Sequence, residues 1–354
     1  MTIIFAILIF SFLIFIHEFG HFIAAKLSGV QVNEFSIFMG PAIIKWQKGE
    51  TLYAIRCIPI GGYCAMEGEN EDTDSPRSFL KAAWWKRLII LVAGAAMNLL
   101  AGFLLMVVVA MPMKGVILPQ IDSFESFATV DDVGGLQVGD VILEIDNEKI
   151  YVQSDFSMML TLNPGDTHDL VVLRDGKKVV LDNFVMEKHL VKNENDEEVW
   201  MYGINFCVDT DLTFSERLSY AWNSSVNTVR TVRLSLQMLL TGKASFNDMT
   251  GPVGIVVMMS DVAEESSGVL DAMLNMVYFG AFISLNLGVM NMLPIPALDG
   301  GRTVGLLLST AIEKITKKKV SAKIESYIHG IGMILLLALM ALILFKDVLT
   351  IFKR

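Results

Sequence analysis

The sequence predicts a membrane-embedded α-helical protein: four transmembrane helices, a membrane-associated β-hairpin and an inserted extracytoplasmic β domain. Hydrophobic residues make up 53% of the 354-residue chain, and the mean hydropathy is +0.53, which is typical of a multi-pass membrane protein. Four long apolar segments supply the predicted spans. A central acidic segment with short strand patterns supplies the predicted β domain.

The predicted spans cover residues 3–25, 88–113, 270–293 and 327–345. Each is long enough to cross a bilayer as a helix. The first span lacks the basic start and the small-residue cleavage site of a signal peptide, so we expect it to be retained. The third span carries Asn286 and Asn291 and is interrupted just afterwards by Pro294 and Pro296.

Lysine and arginine residues are concentrated between spans one and two and between spans three and four, where they include the run 317–319. Because basic loops near membrane spans stay in the cytoplasm, both loops are predicted to be cytoplasmic. The N-terminus, the acidic segment and the C-terminus are then extracytoplasmic. The chain is therefore expected to contact the lipid bilayer with a defined orientation.

The acidic segment 118–215 holds 20 Asp and Glu residues against 6 Lys and Arg residues, whereas the whole chain has a net charge of −10. This balance argues against nucleic-acid binding, which requires a basic face. Within a predicted domain at 118–208, the sequence Gly-Gly-Leu-Gln-Val-Gly-Asp at 134–140 resembles the signature of a PDZ domain, which binds extended peptides by strand addition. The alternative is another small β domain.

Two further segments flank these elements. Residues 35–65 alternate in the manner of a β-hairpin and end at Gly61, Gly62 and Tyr63, so the first domain is predicted to be 1–113, with two spans and this hairpin. The segment 213–260 is predicted to contain an amphipathic helix at 213–240, lying at the outer membrane surface, and the Gly-Pro-Val-Gly sequence at 251–254. The last domain, 270–354, contains spans three and four.

The first predicted span contains the motif His17-Glu18-Phe19-Gly20-His21. On a helix the two imidazoles lie one turn apart on one face, where both can bind one metal ion. Glu18 lies beside them and can accept a proton from water. Ionisable side chains are costly in lipid and are usually functional there, although a buried, hydrogen-bonded polar cluster is the structural alternative.

Asp299 is the candidate for a third metal ligand. It follows Pro294 and Pro296 and precedes Gly300 and Gly301, and such irregular backbone is tolerated at membrane depth only within protein or around a wet cavity. The first and third spans both cross from outside and reach their polar residues late, so the two motifs are predicted to lie at one depth. The alternative is a turn residue, since Asp-Gly is a common turn pair.

Together, the two motifs resemble the paired signature of the site-2 protease family of zinc intramembrane proteases. The PDZ-like segment, the Gly-Pro-Val-Gly sequence and the four spans are similar to its bacterial RseP/RasP-type branch, which has a plasma-membrane location. The resemblance implies one Zn²⁺, held by His17, His21 and Asp299, with Glu18 as general base. It also implies that Asn286 and Asn291 hold substrate backbone and that the hairpin receives the unwound substrate. Many proteobacterial members carry two PDZ domains, and this chain has room for one.

The function expected from this resemblance is hydrolysis of transmembrane segments in single-span membrane proteins, such as anti-sigma factors or remnant signal peptides. A peptide bound in the PDZ-like groove is a further expected partner. The main alternative is a catalytically silent membrane scaffold that recruits clients through the PDZ-like domain. A metal transporter is a weaker alternative, because spans two and four provide no polar path.

Overall fold

The computed structural model describes residues 2–69, 71, 73–128, 135–163, 165–192, 198–243, 245, 251–266, 268–317 and 322–353. Gly134 of the PDZ-like signature, together with Lys318 and Lys319 of the basic run, lies outside the described residues. In the described part of the chain the helices are α1 (Thr2–Ser28), α2 (Trp84–Ala110), α3 (Gln153–Leu162), α4 (Phe214–Leu240), α5 (Pro252–Glu265), α6 (Val269–Asn291), α7 (Asp299–Thr316) and α8 (Ala322–Lys353).

Four of these helices are long and apolar enough to cross a membrane, judged by length and composition: Ile4–Ser28, Trp84–Ala110, Val269–Asn291 and Tyr327–Thr350. They coincide with the four predicted spans. The chain divides into two compact units, residues 107–227 and the remainder of the chain.

The strands are β1 (Val32–Lys48), β2 (Thr51–Met66), β3 (Val116–Phe124), β4 (Val141–Ile145), β5 (Glu148–Lys149), β6 (Thr167–Arg174), β7 (Lys177–Val185), β8 (His189–Lys192), β9 (Glu198–Met201) and β10 (Ile204–Asp209). The first two form a sheet by themselves. In the second compact unit, strands β3 to β7 and β10 form one antiparallel sheet, and β8 and β9 form a separate hairpin.

The predicted hairpin at 35–65 is present but is longer and folds back on itself. The turn at Gly49 pairs residues 42–48 with 51–56, as expected for a hairpin. The first half of β1, residues 32–37, also inserts between the two halves of β2, so that Phe35 pairs with both Tyr53 and Cys64. Residues 62–66 therefore lie at one edge of a small four-segment sheet.

In the second unit the strand order is β10-β3-β4-β6-β7, with β5 paired to β4. The aspartate of the predicted signature, Asp140, is buried and accepts two hydrogen bonds from Arg174, at 2.8 and 2.7 Å. The Asp140 carboxylate raises the pKa of the Arg174 guanidinium. This aspartate is therefore part of an internal ion pair that joins the start of β4 to the end of β6.

The connection between the third and fourth spans differs from the predicted irregular stretch. Residues 292–298 are irregular, with Ala297 at a φ of 82° in the left-handed region. Asp299, however, is the first residue of helix α7. This helix was not predicted, because the glycines at its start and the lysines at its end resemble loop composition.

Small residues allow the helices around the first span to approach closely. A Cβ atom on Gly20 of α1 would lie 2.5 Å from the Ala93 carbonyl oxygen of α2. A Cβ on Gly288 of α6 would lie 2.8 Å from the Leu99 side chain of α2. Such close approach is typical of helix packing in membranes, and it places α1 and α6 against α2.

Candidate metal centre

Three predicted ligand side chains converge at one point of the first compact unit. The Asp299 Oδ2 atom lies 3.0 Å from His17 Nε2 and 3.2 Å from His21 Nε2. The two imidazole Nε2 atoms are 3.2 Å apart. Helix α1 supplies both histidines from one face, and the first turn of α7 supplies the carboxylate. The structure thus brings together residues about 280 positions apart in the sequence.

This cluster has the donor set and spacing of a zinc site. The buried Asp299 Oδ2 accepts no well-aligned hydrogen bond from the described residues, and both imidazole Nε2 atoms lie within 3.2 Å of it. Zinc binds histidine and carboxylate tetrahedrally at about 2.0–2.2 Å, which corresponds to ligand separations of about 3.3–3.5 Å. The observed separations are close to these values, and the residues fit one zinc ion.

The second ring nitrogen of His21, Nδ1, has a hydrogen-bond partner in α2. Its Nδ1 atom lies 2.8 Å from the backbone carbonyl oxygen of Ile90 in α2. Because a carbonyl oxygen can only accept, Nδ1 carries the proton and donates it, which leaves the Nε2 lone pair free. Metal-binding histidines are commonly oriented in this way.

The second ring nitrogen of His17, Nδ1, faces two asparagine amides. Asn98 Nδ2 of α2 lies 3.2 Å from His17 Nδ1, and Asn291 Nδ2 of α6 lies 3.4 Å from it. Asn291 was a predicted site residue, whereas the sequence analysis missed Asn98. The available signal was that Asn98 is the single polar residue of the predicted span 88–113.

Gly94 provides the space for both imidazoles. A Cβ atom at this position of α2 would lie 2.4 Å from His21 Nε2 and 2.8 Å from His17 Nε2. No side chain larger than hydrogen fits without displacing a ligand atom. Gly94 is therefore a second site residue that was not predicted, because a glycine within an apolar span gives no local sign that a ligand lies beside it.

Glu18 and the edge of the hairpin lie next to the three ligands. Together with Tyr63, they line a cavity of about 410 Å³. A Cβ atom on Gly62 would be 3.4 Å from Glu18 Cγ, so the hairpin backbone passes close to this carboxylate. Of the residues predicted at the end of the hairpin, Gly62 and Tyr63 therefore lie at the site. Gly61 packs against Met39 and has a φ of 76°, which favours glycine.

The Asn286 side chain, unlike that of Asn291, makes no hydrogen bond to a candidate metal ligand. Asn286 lies in the last third of α6 and is half-buried, and its side chain makes no hydrogen bond to the described residues. It is not among the residues that line the cavity. Asn291, the last residue of the same helix, is the predicted asparagine that contacts a ligand.

The loop before Asp299 is held by α8. The Ala297 backbone N–H donates to His329 Nδ1 at 3.1 Å, and a Cβ on Gly332 would lie 2.4 Å from Pro296 Cβ. Gly300 and Gly301 pass under the carbonyl groups of residues 292–295, where added Cβ atoms would come within 2.3 Å of an oxygen. The two glycines therefore let α7 start directly beneath the loop, which fixes the Asp299 carboxylate.

Charged residues lie at the rim of the same cavity. Arg302, one turn after Asp299 on α7, forms an ion pair with Glu69 in the segment after β2. At the far end of the hairpin, Glu50 accepts hydrogen bonds from Arg77 and from Lys26, the latter at 2.7 Å. These bonds lower the pKa of the Glu50 carboxyl to about 2. Ion pairs thus join the hairpin turn to α1 through Glu50 and Lys26, and the segment after β2 to α7 through Glu69 and Arg302.

Comparison with known proteins gives the same assignment. The profile described as peptidase family M50 matches residues 5–339. A Clostridium acetobutylicum protein named as a zinc metalloprotease is 37% identical, with 98% of this chain and 97% of the relative covered. A similarly named Clostridium perfringens protein is 33% identical, with 99% of each covered. The regulator of sigma-W protease RasP of Bacillus subtilis is 27% identical, with 99% of each covered. The chain belongs to peptidase family M50, the site-2 protease family, and is a membrane zinc metalloprotease.

Proposed function

We propose that this protein is an intramembrane endopeptidase that hydrolyses peptide bonds in or near the transmembrane segments of single-span membrane proteins. One observation carries the proposal. The three ligands and Glu18 meet next to a strand edge, and the histidines and Glu18 lie on a helix apolar enough to cross a membrane. Such ionisable groups are costly in lipid and mark a functional site.

In the proposed mechanism His17, His21 and Asp299 hold one zinc ion. When bound, zinc lowers the pKa of a water molecule from about 16 to about 7 and polarises a carbonyl group. Glu18 is the general base: it accepts the proton from water and then donates it to the leaving amine. Its place on the cavity wall beside the ligands supports this role.

The hairpin edge at 62–66 is proposed to hold the substrate. A transmembrane helix satisfies its own backbone hydrogen bonds, so its peptide bonds become accessible only when it unwinds and finds new partners. An edge strand offers such partners through strand addition. Because Gly62 has no side chain and lies beside Glu18, a strand added here would run past the base. Gly61 and Tyr63 would shape the same edge.

Asn291 and Asn286 are proposed to bind substrate backbone carbonyl groups through their amide N–H groups. The position of Asn291 at the end of α6, within 3.4 Å of a metal ligand, supports its role. For Asn286 the support is the family resemblance and its place on the same helix, five residues earlier.

The proposed substrates are anti-sigma factors or remnant signal peptides. The Bacillus subtilis relative is named as a regulator of sigma-W, which supports the first class. The domain at 118–208 is proposed to be PDZ-like and to bind an extended peptide. Its candidate groove lies between the edge strand β10 and helix α3, where the Phe206 and Phe156 rings are 5.4 Å apart.

We further propose that the protein lies in the plasma membrane of a bacterium, with the termini and the PDZ-like domain outside. The distribution of lysine and arginine residues supports this orientation. The hairpin and α7 then lie on the cytoplasmic side, together with the metal ligands.

A Glu18→Gln variant tests the mechanism. We expect it to retain about one zinc per chain, because the three ligands remain, and to lose cleavage of a single-span reporter protein in detergent. The matched control is Glu264→Gln, which changes an exposed glutamate near the end of α5 and should leave both zinc content and cleavage unchanged.

Undiminished cleavage by Glu18→Gln would rule out this mechanism. The scaffold alternative makes the opposite prediction: client association should depend on residues 118–208 and be indifferent to Glu18. Absence of bound metal in the wild-type protein would rule out the zinc site itself.

A further inference from the structure

Asn98 lies behind the metal centre and has an unusual combination of burial and unmet hydrogen bonding. Its side chain is 1% exposed. Its Oδ1 atom accepts no hydrogen bond from the described residues, whereas its Nδ2 atom lies 3.2 Å from His17 Nδ1. A buried carbonyl oxygen without a donor costs free energy, so this arrangement calls for a partner.

The chemistry of His17 supplies that partner. If His17 binds a metal through Nε2, its Nδ1 atom must carry the proton and needs an acceptor. The amide nitrogen of Asn98 can only donate, but a half-turn about the last side-chain bond places Oδ1 where Nδ2 lies. The Asn98 Oδ1 atom then accepts a hydrogen bond from His17 Nδ1–H, so this oxygen and this N–H group each gain a partner.

We propose that Asn98 is a positioning residue that accepts a hydrogen bond from His17 Nδ1 and thereby aims His17 Nε2 at the metal. This inference rests on the proposed role of His17 as a metal ligand. It gives His17 the same kind of support that the Ile90 carbonyl gives His21.

The packing around Asn98 suits a fixed positioning role. The buried Ser284 hydroxyl of α6 donates to the Asn98 backbone carbonyl at 2.7 Å. A Cβ on Gly102, one turn later, would lie 2.6 Å from Leu285 of α6. The α2 backbone at Asn98 is thus held by close contact with α6, and the amide has little freedom to move away from His17.

Asn98 and Asn291, the two asparagines near His17, then have different roles. The Nδ1–H group of His17 can make one good hydrogen bond, and Asn98 is both nearer than Asn291 and fully enclosed. Asn98 is too buried to reach a substrate. Asn291 is half-buried at the end of α6, so its amide stays free to bind the substrate backbone.

Zinc affinity of the purified full-length protein, measured by chelator competition, tests the proposal without reference to cleavage. Asn98→Leu keeps the size of the side chain but removes the acceptor, and should weaken zinc binding by about 10- to 100-fold, as expected for a lost outer partner of a ligand. Asn98→Asp keeps an acceptor and cannot donate, so it should bind zinc as tightly as wild type or more tightly. Asn291→Leu should keep wild-type zinc affinity and lower kcat/KM.

A tenfold or greater loss of zinc affinity in Asn98→Asp would overturn the proposal, because it would show that His17 needs a donor. Wild-type affinity in Asn98→Leu, or an equal loss in Asn291→Leu, would overturn it as well. Thermal unfolding of the metal-free variants identifies any variant that does not fold. If Asn98→Leu does not fold, the zinc affinity of Asn98→Asp relative to the wild type decides the proposal.

His17→Ala separates this inference from the proposed zinc site. If His17→Ala loses zinc and Asn98→Leu does not, the site stands and the positioning role fails. If His17→Ala binds zinc as the wild type does, both fail.

Discussion

At the scale of single residues, the metal centre depends on Gly94 and Asn98 of α2 as much as on its candidate ligands. The candidate donor atoms of His17, His21 and Asp299 all lie within 4.8 Å of one another. Gly94 leaves room for the two imidazoles, and Asn98 faces the Nδ1 atom of His17. On the α2 side of the site, where Asn98 is 1% exposed, protein groups rather than water must fill the gaps and satisfy the polar atoms, so these surroundings must match the ligands closely.

A Gly94→Ala variant tests this view. The added methyl group would lie 2.4 Å from His21 Nε2, so it must displace a ligand. We expect cleavage to fall by about 100-fold, the cost of a displacement of about 1 Å at a catalytic site, together with weaker zinc binding in chelator competition.

The matched control is Gly280→Ala in α6, where the nearest atom to an added Cβ is 3.5 Å away. This variant should keep wild-type cleavage and zinc affinity. Equal effects of the two substitutions would show that Gly94 has no special relation to the ligands.

At the scale of elements, a pattern of alternating residues predicted the hairpin, but its fold-back was not predictable. Local alternation shows that a strand forms and which residues share a face. It does not show that residues 32–37 insert between the two halves of β2, because that pairing is decided by packing against α1 and α2. The hydrophobic core there joins Phe35 and Met66 of the hairpin to Ile90 of α2.

Helix α5 shows the same dependence on a distant partner. The Gly-Pro-Val-Gly sequence at its start was singled out by resemblance alone. In the structure the backbone N–H of Gly254 donates to the buried Asp347 carboxylate of α8 at 3.0 Å. A carboxylate at a helix N-terminus satisfies free N–H groups and suits the helix dipole. This charged residue in an apolar helix therefore anchors α5.

The Glu50 cluster makes the attachment of the hairpin dependent on pH. Hydrogen bonds from Arg77 and Lys26 lower the pKa of Glu50 from 4.5 to about 2. A carboxylate with a lowered pKa in the folded state stabilises that state above its unfolded pKa, and this stabilisation is lost as the pH falls through the folded value. We expect thermal stability in detergent to fall between about pH 5 and pH 2 through this group.

In Glu50→Gln the same contribution should be missing at neutral pH. Its unfolding temperature should lie below that of the wild type at pH 7, and the difference should shrink towards pH 2. A constant difference across this range would contradict the assignment of the pH dependence to Glu50.

At the scale of the whole molecule, the proposed orientation places the two compact units in different surroundings. Lys177 is exposed at the start of β7 in the second unit, and Lys48 is exposed at the end of β1, next to the hairpin turn of the first. With the native cysteines replaced by alanine, a single Lys177→Cys should react with a membrane-impermeant maleimide in intact cells. A single Lys48→Cys should react only after permeabilisation. The reverse pattern, or labelling of both in intact cells, would contradict the orientation.

The sequence was enough to predict four apolar spans, which match the four apolar helices of the structure, and a zinc site that begins with His17 and His21. Apolar length identifies spanning helices, and the spacing of His17, Glu18 and His21 follows from helix geometry, so both are local properties. Tertiary structure alone decided that Gly94 and Asn98 lie against the histidines and that Gly62 reaches Glu18. The physical reason is that these contacts join segments many tens of residues apart. Their partners are chosen by the close packing of helices and strands, which no local pattern encodes.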